Sequence, residues 1–120
     1  MPHLVFVYGT LMQGERNHRH LKGARFAGEG STAAAFDLLD MGRYPALVAG
    51  GACAVRGEIW EVDDATLERL DELEEVPELY RREELVLEGG TTVFAWVMTR
   101  QRAGNAPAIP TGDWRRRTGR

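Results

Sequence analysis

The segment DDATLERLDELEEVP, Asp63 to Pro77, carries an acid where its own periodicity calls for an apolar residue. Asp63 and Asp64 suit a helix N-terminus, and Pro77 cannot continue the helix. Leu67, Leu70 and Leu73 mark the apolar stripe. At ~100° per residue, with Leu67 at 0°, Glu74 projects to about 340°, between Leu67 and Leu70 at about 300°. Glu68, Glu72 and Glu75 project to about 100°, 140° and 80°, away from the leucines, and read as solvated acids. A carboxylate on an apolar stripe costs free energy unless it is paired, protonated or facing a cavity. Burial raises its pKa, which suits a group that takes a proton and returns it. Two outcomes are open at this level. Glu74 faces inward, or the helix frays before Pro77 and Glu74 bends to water or pairs with Arg81 or Arg82.

A second candidate stands near the N-terminus, in HLVFVYGTLMQGER. The uncharged run from Leu4 to Tyr8 reads as a strand buried on both faces. It ends without a polar buffer in Tyr8-Gly9-Thr10-Leu11. Gly9 lacks a Cβ, so a ligand could approach main-chain N–H groups there. A tight turn is the plainer reading of the same residues.

Other patterns carry less. GTLMQGER has the glycine spacing of a P-loop, but Glu15 and Arg16 stand where Lys and Ser or Thr are needed. GEGSTA, from Gly28, matches a dinucleotide fingerprint loosely, with too few residues before Gly42 for the helix and returning strand. His18 and His20 form a His-x-His pair with no third ligand at a metal-site spacing, so no metal is expected. The one cysteine, Cys53, rules out an intrachain disulfide.

These candidates must be positioned by a single domain, since the chain has 120 residues. The hydrophobic share of 43% and charged share of 28% are ordinary for a globular protein, and no apolar run approaches a membrane span. A cytoplasmic location follows as the expectation. Fifteen basic and eighteen acidic residues give a net charge of −3, the wrong balance for a general nucleic-acid binder. The basic cluster WRRRTGR is expected to trail into solvent, so the domain is set at 1–114 and a basic tail at 115–120. An RNA-contacting arm through Arg115, Arg116 and Arg117 is the rival reading of that tail.

Along the chain, GERNHRHLKG reads as a short helical turn with Asn17 as its N-cap. STAAAFDLLDM, PALVAGG and CAVRGEIWEV read as strands, with Gly42 and Pro45 marking a turn. EELVLEGGTTVFAWVMTR is a hairpin around Gly89-Gly90. QRAGNAPAIPTGDW is expected to lie over the surface as ordered coil. Strands outnumber helices and hairpins join them. The fold class is therefore α+β, a small, mostly antiparallel, barrel-like sheet with one main helix.

VFVYGTLMQGERNHRHL and LDELEEVPELYRREEL, with YPALV and GEIWEV between them in order, resemble the γ-glutamyl cyclotransferase-like superfamily, most closely its γ-glutamylamine cyclotransferase branch. The likeness runs from Leu4 to about Trp114. The resemblance implies that Tyr8, Gly9, Thr10 and Leu11 form the substrate loop. It places the catalytic glutamate, in the pattern Leu-Asp-x-x-Glu ahead of Tyr-x-Arg, on Glu74, with Tyr80 and Arg82 completing the match. Glu75 departs from the pattern, because many relatives carry a small residue there, usually glycine. The implied reaction releases 5-oxoproline and a free amine from a small γ-glutamyl substrate. It needs no cofactor, and no nucleic acid or membrane partner, in a monomer or weak homodimer. A non-catalytic small-molecule binding module of the same fold is the alternative.

Overall fold

A computed structural model of the chain describes residues 2–117. In chain order the elements are β1 (His3–Val7), a 3-10 turn (His18–Leu21), β2 (Arg25–Ser31), β3 (Phe36–Asp40), β4 (Pro45–Ala49) and β5 (Arg56–Val62). Then follow α1 (Asp64–Leu73), β6 (Arg81–Val86), β7 (Thr92–Val97), the four-residue α2 (Arg100–Ala103) and a second 3-10 turn (Trp114–Arg116). The class is α+β, with seven strands and one main helix.

The uncharged run at the start of the chain becomes the middle strand of a five-stranded sheet ordered β2-β5-β1-β7-β6. Val5, Phe6 and Val7 are buried in succession, as a strand covered on both faces requires. β1 runs antiparallel to β5, with Val7 opposite Glu58, and parallel to β7, with Val5 opposite Phe94. The β6–β7 hairpin closes through Gly89 and Gly90, both at positive φ. β3 and β4 form a separate two-stranded hairpin, tied to the end of β7 by a bond from Met98 N to Leu47 O (2.9 Å).

Two local expectations need correction, and one strand was not read at all. STAAAFDLLDM is not one strand: Ser31 ends β2, and Thr32 turns the chain by exchanging bonds with Val55 before β3 begins at Phe36. β2 itself, RFAGEGS, has too many glycines and polar residues to read as a strand. It is an edge strand with a bulge between Phe26 and Gly28, and its pairing is dictated by β5. Asn17 precedes the first 3-10 turn but makes no capping bond, because its side chain donates to Thr10 Oγ1 (3.0 Å).

The C-terminal segment is mostly coil, as expected, but it is not merely superficial. Ile109 and Trp114 are buried, and Ile109 N bonds Leu38 O at 2.7 Å. The basic cluster does not simply trail into solvent. Arg115 and Arg116 lie in a 3-10 turn whose N-cap, Asp113, accepts from Arg115 N. The last three residues of the expected tail lie outside the described residues. Among the described residues, no helix is long and apolar enough to cross a membrane.

Candidate active site

α1 begins as its sequence asks, with the Asp63 carboxylate accepting from Thr66 N (2.8 Å). It ends earlier than Pro77. Leu73 is its last residue, yet Glu74 N still bonds Leu70 O at 2.9 Å, so Glu74 keeps helical phase and its place beside Leu67 and Leu70. Glu75 then takes a left-handed conformation, φ 54°. Glu75 N bonds Glu72 O (3.1 Å) and Val76 N bonds Asp71 O (3.0 Å). These two bonds form a Schellman motif, whose left-handed residue is most often glycine because a Cβ is strained there. The departure noted at Glu75 thus falls on the one residue of this helix end that glycine would relieve.

The helix end and the end of β1 face one cavity of about 130 Å³. Tyr8, Gly9, Thr10 and Leu11 line it from the strand side, and Glu74 and Glu75 from the helix side. Tyr44 and Pro45 enter from the β3–β4 hairpin, Tyr80 and Trp96 from the β6–β7 side, and Arg16 and Asn17 from the loop before the first 3-10 turn. The six expected site residues, Tyr8, Gly9, Thr10, Leu11, Glu74 and Tyr80, therefore meet in one hollow. The volume is well below the ~300 Å³ of a small drug-sized pocket, which suits a compact ligand whose remainder stays outside.

Among the described residues, no donor bonds the Glu74 carboxylate. The helix does end before Pro77, but Glu74 lines the cavity and bonds neither Arg81 nor Arg82. Arg82 is committed elsewhere, donating to Asp71 Oδ2 at 2.7 Å and lying over the Phe94 ring at 4.9 Å. Burial, with the Glu75 charge adding to it, raises the Glu74 pKa from 4.5 to about 7. Asp71, one turn before Glu74, also accepts from Trp96 Nε1 (2.9 Å), so Arg82 and Trp96 together fix the helix against β6 and β7.

The two phenols serve as struts. Tyr8 Oη donates to Trp96 O (2.5 Å) and Tyr80 Oη to Pro45 O (2.6 Å). Burial first, and neighbouring acidic groups second, hold both hydroxyls well above the usual tyrosine range. They stay protonated and can donate.

Gly9 has a steric reason that sequence alone does not reveal. A Cβ there would lie 2.4 Å from Pro45 Cγ and 2.6 Å from Cδ, so the missing side chain makes room for the proline ring of the facing hairpin. The loop beyond is tied to itself. Met12 N bonds Gly9 O, Asn17 N bonds Thr10 O, and the His18 ring donates from Nδ1 to Leu11 O. His18 thus ties the loop and packs against the Trp60 ring. Among the described residues, no protein acceptor takes the N–H of Gly9, Thr10 or Leu11.

A family model described as "Gamma-glutamyl cyclotransferase, AIG2-like" matches residues 5–116. The chain belongs to the γ-glutamyl cyclotransferase, AIG2-like family. Its similarity to a Vibrio cholerae protein named "Putative gamma-glutamylcyclotransferase" is 44% identity over 115 residues, covering 95% of this chain and 96% of that one. A mouse gamma-glutamylaminecyclotransferase is 41% identical over 87 residues, 65% of this chain and 58% of that protein. The crystal structure of a mouse AIG2-like protein superposes with a TM-score of 0.74 at 33% identity, covering 89% of this chain and 85% of that one.

Several lining residues of this chain were not singled out from sequence. Pro45 and Trp96 come from strands whose pairing had to be known first. Arg16 is the one cationic side chain among the described residues that line the cavity. Asp71 had a sequence signal: it is the Asp of Leu-Asp-x-x-Glu, three residues before the acid it helps to place.

Proposed function

We propose that this chain is a γ-glutamylamine cyclotransferase, releasing 5-oxoproline and a free amine from a γ-glutamyl amine, with Glu74 as general base and then general acid. The observation that carries the reading is an unpaired carboxyl with a pKa near neutrality, facing unaccepted main-chain N–H groups across a small cavity. Nucleophile and electrophile belong to one substrate, so the protein's task is to fold the glutamyl arm into a near-attack shape.

In the proposed sequence, ionised Glu74 takes one proton from the α-ammonium. The freed amine attacks the γ-carbonyl carbon, closing a five-membered ring and placing negative charge on the carbonyl oxygen. The N–H groups of Gly9 to Leu11 receive that charge. Glu74 hands its proton to the departing nitrogen as the old C–N bond breaks. The ring nitrogen keeps one of the three ammonium protons, and the remaining one passes through solvent to the released amine. The α-carboxylate is assigned to Arg16, which leaves the main-chain donors for the oxyanion. Tyr80 and Tyr8 hold the walls.

The test is 5-oxoproline release from a panel of γ-glutamyl amines. Glu74→Gln, which keeps the side-chain volume, is expected to lower turnover by about 10³-fold, within the range for a lost general acid–base. Glu72→Gln is expected to behave as the parent. A Glu74→Gln protein that turns over at the parental rate removes the assignment.

A further inference from the structure

We infer that the C-terminal 3-10 turn is a latch on the substrate loop, with Arg115 as a positioning residue for binding. The basic cluster is explained neither by the proposed reaction nor by a solvated tail. Arg115 leads back across the molecule to β5 and to the loop that follows Leu11. Its Nη2 donates to Glu58 Oε2 (3.2 Å) and to Gln13 O. Glu58 in turn accepts Gln13 N (3.0 Å) and Trp60 Nε1 (3.1 Å) on Oε1. Both main-chain polar atoms of Gln13 are therefore gripped from outside the loop. A third tie lies beside them, where the buried Trp114 donates from Nε1 to Glu15 Oε1 at 3.2 Å.

The place of these ties matters more than their number. Gln13 and Glu15 line no part of the cavity, but they sit between the two stretches that do, Tyr8 to Leu11 and Arg16 to Asn17. Glu58 lies opposite Val7 in the β1–β5 ladder, at the point where β1 leaves the sheet. Its carboxylate is 6% exposed, so the anchor is rigid, whereas the Arg115 side chain that closes the latch is 38% exposed. Releasing Arg115 frees Gln13 O and one Glu58 oxygen but leaves α1, Asp71 and Glu74 untouched. The latch acts on where the substrate sits, not on the group that moves its proton.

The kinetic part of this inference rests on the cyclotransferase reading, and amide exchange judges the latch without it. Arg115→Ala is expected to lower kcat/KM for a γ-glutamyl amide roughly tenfold with the pH profile unmoved, as for loss of one charged hydrogen bond that holds the loop carrying the substrate contacts and the proposed oxyanion donors. Arg115→Lys restores part of kcat/KM. Arg116→Ala, in the same turn but with no side-chain hydrogen bond among the described residues, matches the parent. In hydrogen–deuterium exchange, amides from Gly9 to Asn17 are expected to exchange faster in Arg115→Ala while those of β5 and α1 do not. An unchanged kcat/KM together with unchanged exchange in that loop overturns the latch, as does a shift of the pH profile, which would mean that Arg115 acts on Glu74. If the parent releases no 5-oxoproline, the proposed function fails and the exchange result alone decides the latch.

Discussion

Glu58 is buried in the sheet and Glu74 is half-buried at the cavity, and their surroundings could hardly differ more. Glu58, on the central part of the sheet, has three donors on its two oxygens: a main-chain N–H, an indole and a guanidinium. Glu74, at the end of α1, has none among the described residues, and partial burial lifts its pKa to about 7. Buried polar groups are ordinarily satisfied, as Glu58 is, whereas the Glu74 carboxyl keeps its free valences toward the cavity. The contrast separates an acid that holds segments of the chain together from one that holds none.

That contrast predicts opposite signs for removing the two charges. Glu58→Ala should destabilise by about 3 to 5 kcal/mol, read by chemical denaturation, because it strands the Arg115 and Trp60 donors and Gln13 N. Glu74→Gln should stabilise instead, in a pH-dependent way. The folded protein holds the Glu74 proton up to about pH 7, whereas the unfolded chain releases it near 4.5. Wild-type stability attributable to this group is complete below the lower value and declines as pH rises through the upper one. The variant should therefore gain up to ~3 kcal/mol over the parent above pH 7 and nothing below pH 4.5. Equal stabilities at pH 8 would mean that Glu74 is not held unpaired.

Smaller effects sharpen the picture around Glu74. Arg16→Gln should raise KM for γ-glutamyl amides by roughly tenfold, and leave KM unchanged for the analogue lacking the α-carboxylate, if that anion meets the guanidinium. A rise for both substrates would place the cation elsewhere. Glu75→Gly should add about 1 kcal/mol of stability by relieving the left-handed residue of the Schellman motif. It should also move the acid limb of kcat/KM, expected near pH 7, downward, because the neighbouring charge that helps raise Glu74 is gone. Glu75→Gln separates the two contributions: the limb moves and the strain stays.

Glu74 was legible from angle alone, since three leucines fixed a stripe and one acid fell on it. The middle strand was legible because an uncharged run has few other homes. The opposite happened at β2, whose glycines and charges say loop; β5 makes it a strand, and no local pattern carries that instruction. Glu58 escaped notice for a related reason. In an alternating strand an acid reads as outward-facing, and only the return of the chain at Arg115 and the pass of Gln13 over it turn that position inward. The reason for Gly9 was also tertiary, set by a proline 36 positions along the chain. What the sequence hides here is mostly contact between segments far apart in the chain.

The interlock of Gly9 with Pro45 bears on how this scaffold could be retargeted. The two residues behave as a single key and ward, so a side chain added at position 9 should jam the strand end against the hairpin unless the Pro45 ring is also removed. The tip of that hairpin has constraints of its own, since Gly42 holds a positive φ and Arg43 O accepts from Arg16. Reshaping this wall of the cavity would therefore mean keeping Pro45, Gly42 and the Arg16 contact as a set.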